Sequence, residues 1–407
     1  MADYKEISGG VTAPKGFTCG AVYAGIKSRK TEKPDVAVLF SEQPATCAAM
    51  FTTNKFCAAP VILGRETLKK GVARAVVINS GNANAATGEQ GIEDAKATAK
   101  EAAKLLNISE DEVFVSSTGV IGQRLPVDKV IDGVRRVVPN MSPDKGTDAA
   151  WAIMTTDTVR KESAYELELS GGTVRIGAMA KGSGMIHPNM ATMLVYVTTD
   201  AKADAKDLQK MLTDSVDRTF NMLTVDGDTS TNDSIFLLAN GASGVEIKTE
   251  EDKQALAGLI DHICHDITRR IARDGEGATR MLVVEAEGLP TLKDARLVAR
   301  SIAGSTLFKC ALFGKDANWG RIMAAAGYSG ADVDPSKADC IIKSAAGEVQ
   351  VMEKGFGTDF SEDLATKVLS EEEVTVIVRF YMGDGKATAW GCDMTYDYVK
   401  INGDYRS

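Results

Sequence analysis

Ala178-Met-Ala-Lys181-Gly-Ser-Gly-Met-Ile-His187-Pro-Asn-Met-Ala191-Thr192-Met-Leu-Val-Tyr-Val-Thr-Thr-Asp200 joins a glycine-rich, proline-containing loop to a strand-like run from Met193 to Thr199. Thr192 stands at the junction. Two readings meet there. The bland one is an ordinary strand start, the commoner fate of such a threonine. The other is a masked N-terminal nucleophile: Thr192 Oγ attacks the carbonyl of Ala191, an ester replaces the amide, and water releases a new N-terminus. A small residue before the bond leaves room for the tetrahedral intermediate, and a constrained turn supplies strain that favours the shift. The freed α-amine, with a reference pKa of about 7.7 to 8.0, would serve as base to its own hydroxyl near neutral pH.

Outward from this stretch, β-branched runs bounded by turn residues predict strands at Val36 to Phe40, Ala75 to Ile78 and Val113 to Val115. Helical spacing predicts Ile92 to Leu106, Val127 to Val138 stopped by Pro139, Asp204 to about Met222, and a long amphipathic helix from Glu251 to Ala272. Beyond Leu282 the pattern reads as strand-rich, with Leu282 to Ala286, Cys340 to Lys343, Glu348 to Met352 and Val374 to Phe380, and a hairpin turn at Ala346-Gly347. Strands alternating with helices imply an α/β or α+β fold. A soft boundary near 285 divides a catalytic α/β domain, 1–285, from a smaller C-terminal domain, 286–407.

The chain is 407 residues long, which calls for a main domain plus a smaller one or several cooperating layers. A formal charge of -9 gives no electrostatic reason to bind nucleic acid or an anionic membrane. Seven scattered cysteines without a CxxC pair read as the usage of a reduced compartment, with neither a disulfide framework nor a zinc knuckle. The N-terminus lacks the basic start and apolar run of a secretory signal, so a cytoplasmic location is expected.

Several motifs fail on spacing. A P-loop needs glycine five residues before its Gly-Lys and a hydroxyl after it, whereas Gly385-Lys386 has Phe380 and Ala387, and Gly314-Lys315 has Lys309 and Asp316. Asp226, Asp228 and Ser230 imitate the start of a calcium loop, but Thr231 replaces the turn glycine and Leu237 the bidentate glutamate. Thr224 to Ser234 is then either a plain polar turn or part of an active-site wall. His262 and His265, flanking Cys264, read as helix-face or core residues in preference to metal ligands. His187, the third and last histidine, reads as a loop-packing residue. With no GxSxG elbow and so few histidines, acyl chemistry would need an unusual base.

Five ordered motifs carry a resemblance over essentially the whole chain: Asn79-Ser-Gly-Asn-Ala-Asn-Ala85, Ser117-Thr-Gly-Val-Ile-Gly122, Met154-Thr-Thr-Asp-Thr158, Asp226-Gly-Asp-Thr-Ser-Thr-Asn-Asp233 and Asn402-Gly-Asp-Tyr-Arg-Ser407. With the block from Lys181 to Leu194 they resemble the ornithine acetyltransferase (glutamate N-acetyltransferase) family. The resemblance implies a layered α/β/β/α sandwich like that of N-terminal-nucleophile hydrolases, with different connectivity. It also implies self-cleavage between Ala191 and Thr192 into chains 1–191 and 192–407, which assemble as a heterotetramer of two copies of each.

The implied reaction is a ping-pong transfer of acetyl from N2-acetylornithine to glutamate in cyclic arginine biosynthesis, through an acetyl ester on Thr192. The residues matching the family's roles are Thr118 and Gly119 for the oxyanion hole, and Thr155, Lys181, Thr192, Glu276, Asn402 and Ser407 for substrate binding. Glu276 suits the ornithine ammonium and Lys181 a carboxylate. Ser407 replaces the usual terminal threonine and keeps the hydroxyl. No metal or bound cofactor is implied; some members also take acetyl from acetyl-CoA as a co-substrate, so both donors are carried forward. The rivals are an aminopeptidase or amidase on the same scaffold, and a non-catalytic amino-acid-binding protein with Thr192 intact.

Overall fold

The computed structural model describes residues 4–27, 33–187 and 193–404. Among them the chain forms a nine-stranded and a six-stranded sheet with helices packed on both, a mixed α/β fold. The order in the larger sheet is Lys5–Glu6, Lys161–Leu169, Gly172–Lys181, Leu194–Thr199, Ser234–Ala239, Val36–Phe51, Val72–Asn82 and Val113–Val120. Phe17–Val22 also pairs with Val36–Phe51. Two neighbouring pairs are parallel, with Leu194 opposite Ser234 and Ala75 opposite Val113. Parallel strands are covered on both faces, and every residue of Leu194–Thr199 and Ser234–Ala239 is buried. The hydroxyls this brings inside find acceptors: Thr198 Oγ1 donates to Val11 O at 2.6 Å and Thr199 Oγ1 to Arg175 O at 2.7 Å.

The strands predicted at Val36, Ala75 and Val113 all form, but each runs further than its apolar core. Val72–Asn82 and Val113–Val120 continue through the polar residues Asn79-Ser-Gly-Asn82 and Ser116-Ser-Thr-Gly119. Val36–Phe51 changes register between Phe40 and Ala45, where Pro44 has no amide to give the ladder. Its first half pairs with Val72–Asn82 and its second with Ser234–Ala239, so one bent strand joins the two parallel pairs. The hairpin Lys161–Leu169 and Gly172–Lys181 carries charged residues such as Glu162, Glu166 and Arg175 among its apolar ones, and no strand was predicted there.

Gly88–Leu106, Val127–Val137, Ala205–Arg218 and Glu250–Arg273 are helices, close to the predicted spans. Asp204 is a cap, its carboxylate accepting from Lys206 N at 2.8 Å, and the expected extension to Met222 is a separate 3-10 turn after Thr219. Glu250–Arg273 is capped by Thr249, whose hydroxyl accepts from Asp252 N at 3.1 Å, and has acidic residues in its first turn and arginines in its last. Leu256, Leu259, Ile260, Ile263, Ile267 and Ile271 are all buried, and the helix touches strands of both sheets.

The smaller sheet has the order Phe356–Gly357, Gly347–Glu353, Asp339–Ser344, Glu373–Arg379, Met281–Leu289 and Gly385–Cys392. Its strand Met281–Leu289 contains residue 285, so the change of sheet comes before Met281. The strand-rich reading of this half missed the helices Leu292–Ala303, Thr306–Phe313 and Trp319–Gly327. Thr291, Ser305 and Asn318 cap them through side-chain bonds to Asp294 N, Phe308 N and Arg321 N. None of the described helices is long and apolar enough to cross a membrane.

Candidate active site

The polar continuation of Val113–Val120, with Ala83 just beyond Val72–Asn82, lines one wall of a cavity of about 100 Å³. Asn79 Nδ2 donates to Asn82 O at 2.8 Å, Ser117 Oγ to Asn79 Oδ1 at 2.6 Å, and Asn84 N to Asn82 Oδ1 at 2.8 Å. The asparagine-rich motif thus satisfies its own buried main chain. Gly119, at φ 133°, has no alternative: a Cβ there would lie 2.3 Å from the carbonyl carbon of Gly81. Thr118 and Gly119 face the cavity, and among the described residues the Thr118 hydroxyl has no hydrogen-bond partner.

Four other segments bring predicted residues to the wall. Thr155 follows the helix Gly146–Ala152, Lys181 ends the strand Gly172–Lys181, Glu276 follows the helix Glu250–Arg273, and Asn402 lies on the helix Tyr396–Asp404. The six predicted residues within the described chain (Thr118, Gly119, Thr155, Lys181, Glu276 and Asn402) therefore line one cavity, although they come from five separate places in the sequence. Asn402 Nδ2 donates to Glu276 Oε2 at 2.8 Å. Gly184 makes room for that carboxylate, since a Cβ would fall 2.3 Å from Glu276 Cδ. The Lys181 ammonium has no hydrogen-bond or ion-pair partner among the described residues, and is largely buried. A buried cation facing a cavity, with its donors unused among the described residues, is suited to an anionic group of a ligand.

Beneath these residues lies an ionic network that no motif predicted. Lys161 Nζ donates to Asp157 Oδ1 at 2.8 Å and also bonds Asp274, with all three side chains almost wholly buried. Asp157 accepts from Gly182 N at 2.7 Å and Thr155 N at 3.0 Å. Burial alone would raise the Asp157 carboxyl, but the charges of Lys161 and Lys181 and the bonds from Lys161 and Gly182 hold it well below the usual carboxylate range. The single sequence cue was weak: Lys161 is a charge in an otherwise alternating strand.

Ala191, Thr192 and Ser407 lie outside the described residues. The chain on either side of 188–192 is anchored. Asp226 accepts from Met185 N at 2.6 Å and Ile186 N at 2.8 Å, and Ser234 N donates to Met193 O at 3.0 Å. Asp226 also holds the Tyr398 hydroxyl, whose pKa is raised by burial and by that neighbouring charge. The segment Thr224 to Ser234, left open between a plain turn and a wall, supplies Ser230, Thr231 and Asn232 to the cavity. Asn232 Nδ2 donates to Ala83 O and to Ser117 O at 2.8 Å, joining this turn to the Thr118 strand.

His187 packs as expected in the loop, with Nδ1 2.9 Å from Thr224 Oγ1 and Nε2 3.2 Å from Arg300 Nη2. A guanidinium only donates, so Nε2 accepts and Nδ1 carries the proton. Burial first, and the Arg300 charge second, lower the pKa of this ring. His262 packs between Tyr4, tilted at 40°, and Tyr165, edge-on at 79°, and His265 packs edge-on against Trp390. A larger cleft, about 620 Å³, opens over the smaller sheet beside His265 and Trp390. It contains none of the predicted site residues, and charged groups that line it pair with one another, Arg218 with Asp261 and Arg269 with Glu373.

The ArgJ family model matches residues 18–407, nearly the whole chain. The protein belongs to the ArgJ family. Among its ArgJ relatives, "Arginine biosynthesis bifunctional protein ArgJ" of Symbiobacterium thermophilum is 51% identical over 403 residues, covering 98% of this chain and 99% of the relative. "Glutamate N-acetyltransferase" of Methanopyrus kandleri is 45% identical over 397 residues, covering 97% and 100%. The crystal structure of a Bacillus halodurans ArgJ chain is 42% identical with a TM-score of 0.49, covering 52% of this chain and 98% of that one.

Proposed function

We propose that this ArgJ-family protein is a glutamate N-acetyltransferase of arginine biosynthesis, transferring acetyl from N2-acetylornithine to glutamate through an ester on Thr192. The observation that carries the reading is the convergence of Thr118, Gly119, Thr155, Lys181, Glu276 and Asn402 on one cavity, which Gly184 and Met185 also line. Cleavage between Ala191 and Thr192 frees the α-amine. That amine takes the Thr192 hydroxyl proton as Oγ attacks the acetyl carbonyl. The Thr118 hydroxyl and the Gly119 amide donate to the oxyanion. As the C–N bond breaks, the amine returns the proton to the ornithine nitrogen, and ornithine leaves. The glutamate amine then attacks the ester, and N-acetylglutamate leaves with Thr192 restored.

Glu276 receives the side-chain ammonium of the donor and Lys181 a carboxylate, two opposite charges in one cavity, which favours amino acids over plain amides. The two fragments stay together because Leu194–Thr199, from the second, pairs with Gly172–Lys181 of the first. Two copies of each fragment make the heterotetramer. The deciding assay incubates purified protein with N2-acetylornithine or acetyl-CoA, with and without glutamate. Glutamate-dependent N-acetylglutamate formation from N2-acetylornithine is expected. Acetate release at full rate without glutamate would instead identify a hydrolase, and the acetyl-CoA arm separates one donor from two.

A further inference from the structure

Three of the five segments that bring predicted residues to the cavity meet at a single buried ammonium. Lys161 bonds Asp157, which holds Thr155 N and Gly182 N, the residue after Lys181. Lys161 also bonds Asp274, which accepts from Thr158 N at 3.1 Å. Ser183 Oγ donates to Asp274 O at 2.7 Å, and Glu276 N donates to Ser183 O at 2.9 Å. The segments carrying Thr155, Lys181 and Glu276 are therefore cross-linked below the cavity floor by one cation and two carboxylates. Both carboxylates lie in the interior, where an unpaired charge is costly. Lys161 is the shared member of the cluster: removing it leaves two buried carboxylates without their common cation, whereas removing either carboxylate leaves a neutral pair.

We propose that Lys161 is a positioning residue of the acetyl-transfer site, setting the separation of Lys181 and Glu276 and hence the length of amino acid the cavity accepts. The proposal rests on the acetyltransferase reading of that cavity. Lys161 touches no substrate; it acts through Asp157 on Gly182 and through Asp274 on Ser183 and Glu276. Lys181 and Glu276 bind the two charged ends of the donor. A shift of either by a fraction of an ångström therefore weakens binding before it affects the acyl-transfer step.

The test uses the full-length processed protein and two variants. Asp157→Asn keeps shape and one acceptor oxygen, so either Gly182 N or Thr155 N loses its bond. Lys161→Met/Asp274→Asn removes the buried cation together with one of its counter-charges, so the cluster keeps its net charge. Each is compared with a smaller-sheet core variant, Ile342→Val, by thermal midpoint, by KM and kcat for N2-acetylornithine, and by calorimetric binding of ornithine. The expected result is a KM and an ornithine Kd raised at least tenfold in both variants, with kcat lowered much less, while Ile342→Val keeps wild-type kinetics well below its midpoint. Folded Asp157→Asn protein with wild-type KM and ornithine affinity overturns the proposal. So does a folded double variant with wild-type values, because charge balance alone would then account for the cluster. If the wild type itself transfers no acetyl group, the functional reading has failed, and not the role of Lys161.

Discussion

Two helices deliver the two ends of one active-site hydrogen bond by opposite means. Glu250–Arg273 buries a full apolar face between the sheets and places Glu276 just beyond its C-terminus. Tyr396–Asp404 buries none of its residues. It is held by Asn402 on Glu276, by Tyr398 on Asp226, and by Thr395 Oγ1, just before it, on Gly277 O at 2.7 Å. Glu276 is thus fixed by the core, whereas Asn402 hangs on polar bonds that a ligand can replace. In the proposed function, the carboxylate assigned to the substrate ammonium is held by the core, and its present partner is held by polar bonds alone.

The largest effect should come from the buried helix. Ile263→Ala should cost about 2–5 kcal/mol of stability and take the activity down with the fold, read as a lowered unfolding midpoint. Next, Glu276→Gln should leave the midpoint near wild type and lower kcat/KM for N2-acetylornithine about a hundredfold, about 3 kcal/mol for a lost charged contact. Asn402→Ala should be milder, because a neutral partner is worth about 1 kcal/mol. Its KM should move by about fivefold or less, with no change in midpoint. An Asn402→Ala protein as unstable as Ile263→Ala would break the contrast between the two helices.

The smallest effect is a pH dependence at His187. Its ring is kept neutral in the fold, below its ordinary value near 6.5, by burial and by Arg300. The unfolded chain takes up the proton first as pH falls, so the stability it contributes is present above about 6.5 and is lost below it. Protonation would also remove the acceptor facing Arg300. Thermal midpoints measured from pH 7.5 down to 5.5 should fall, and His187→Gln should flatten that slope.

The sequence made the apolar cores of the central strands legible, since Val36 to Phe40 and Ala75 to Ile78 are β-branched runs that must be buried. It hid where those strands end. Asn79-Ser-Gly-Asn82 and Ser116-Ser-Thr-Gly119 look like turns by composition, yet they extend the sheet by pairing with each other, supported by side-chain bonds within and between them and one from Asn232. The predicted site residues came from family motifs, and their meeting in one cavity could not be read from spacing. Asp157 lay inside a quoted motif and Asp274 two residues before Glu276, both without a role, and Lys161 lay outside every motif. Their significance is a pairing across more than a hundred residues, which no local pattern records.

The central claim is that a freed Thr192 carries the acetyl group. The most direct measurement is the intact mass of the protein after incubation with N2-acetylornithine alone, followed by a glutamate chase. The account predicts two chains, 1–191 and 192–407, with one acetyl group on the N-terminal residue of the second that disappears as N-acetylglutamate forms. An uncleaved chain that transfers acetyl at full rate, or a cleaved one whose 192–407 fragment is never acetylated during turnover, would contradict it.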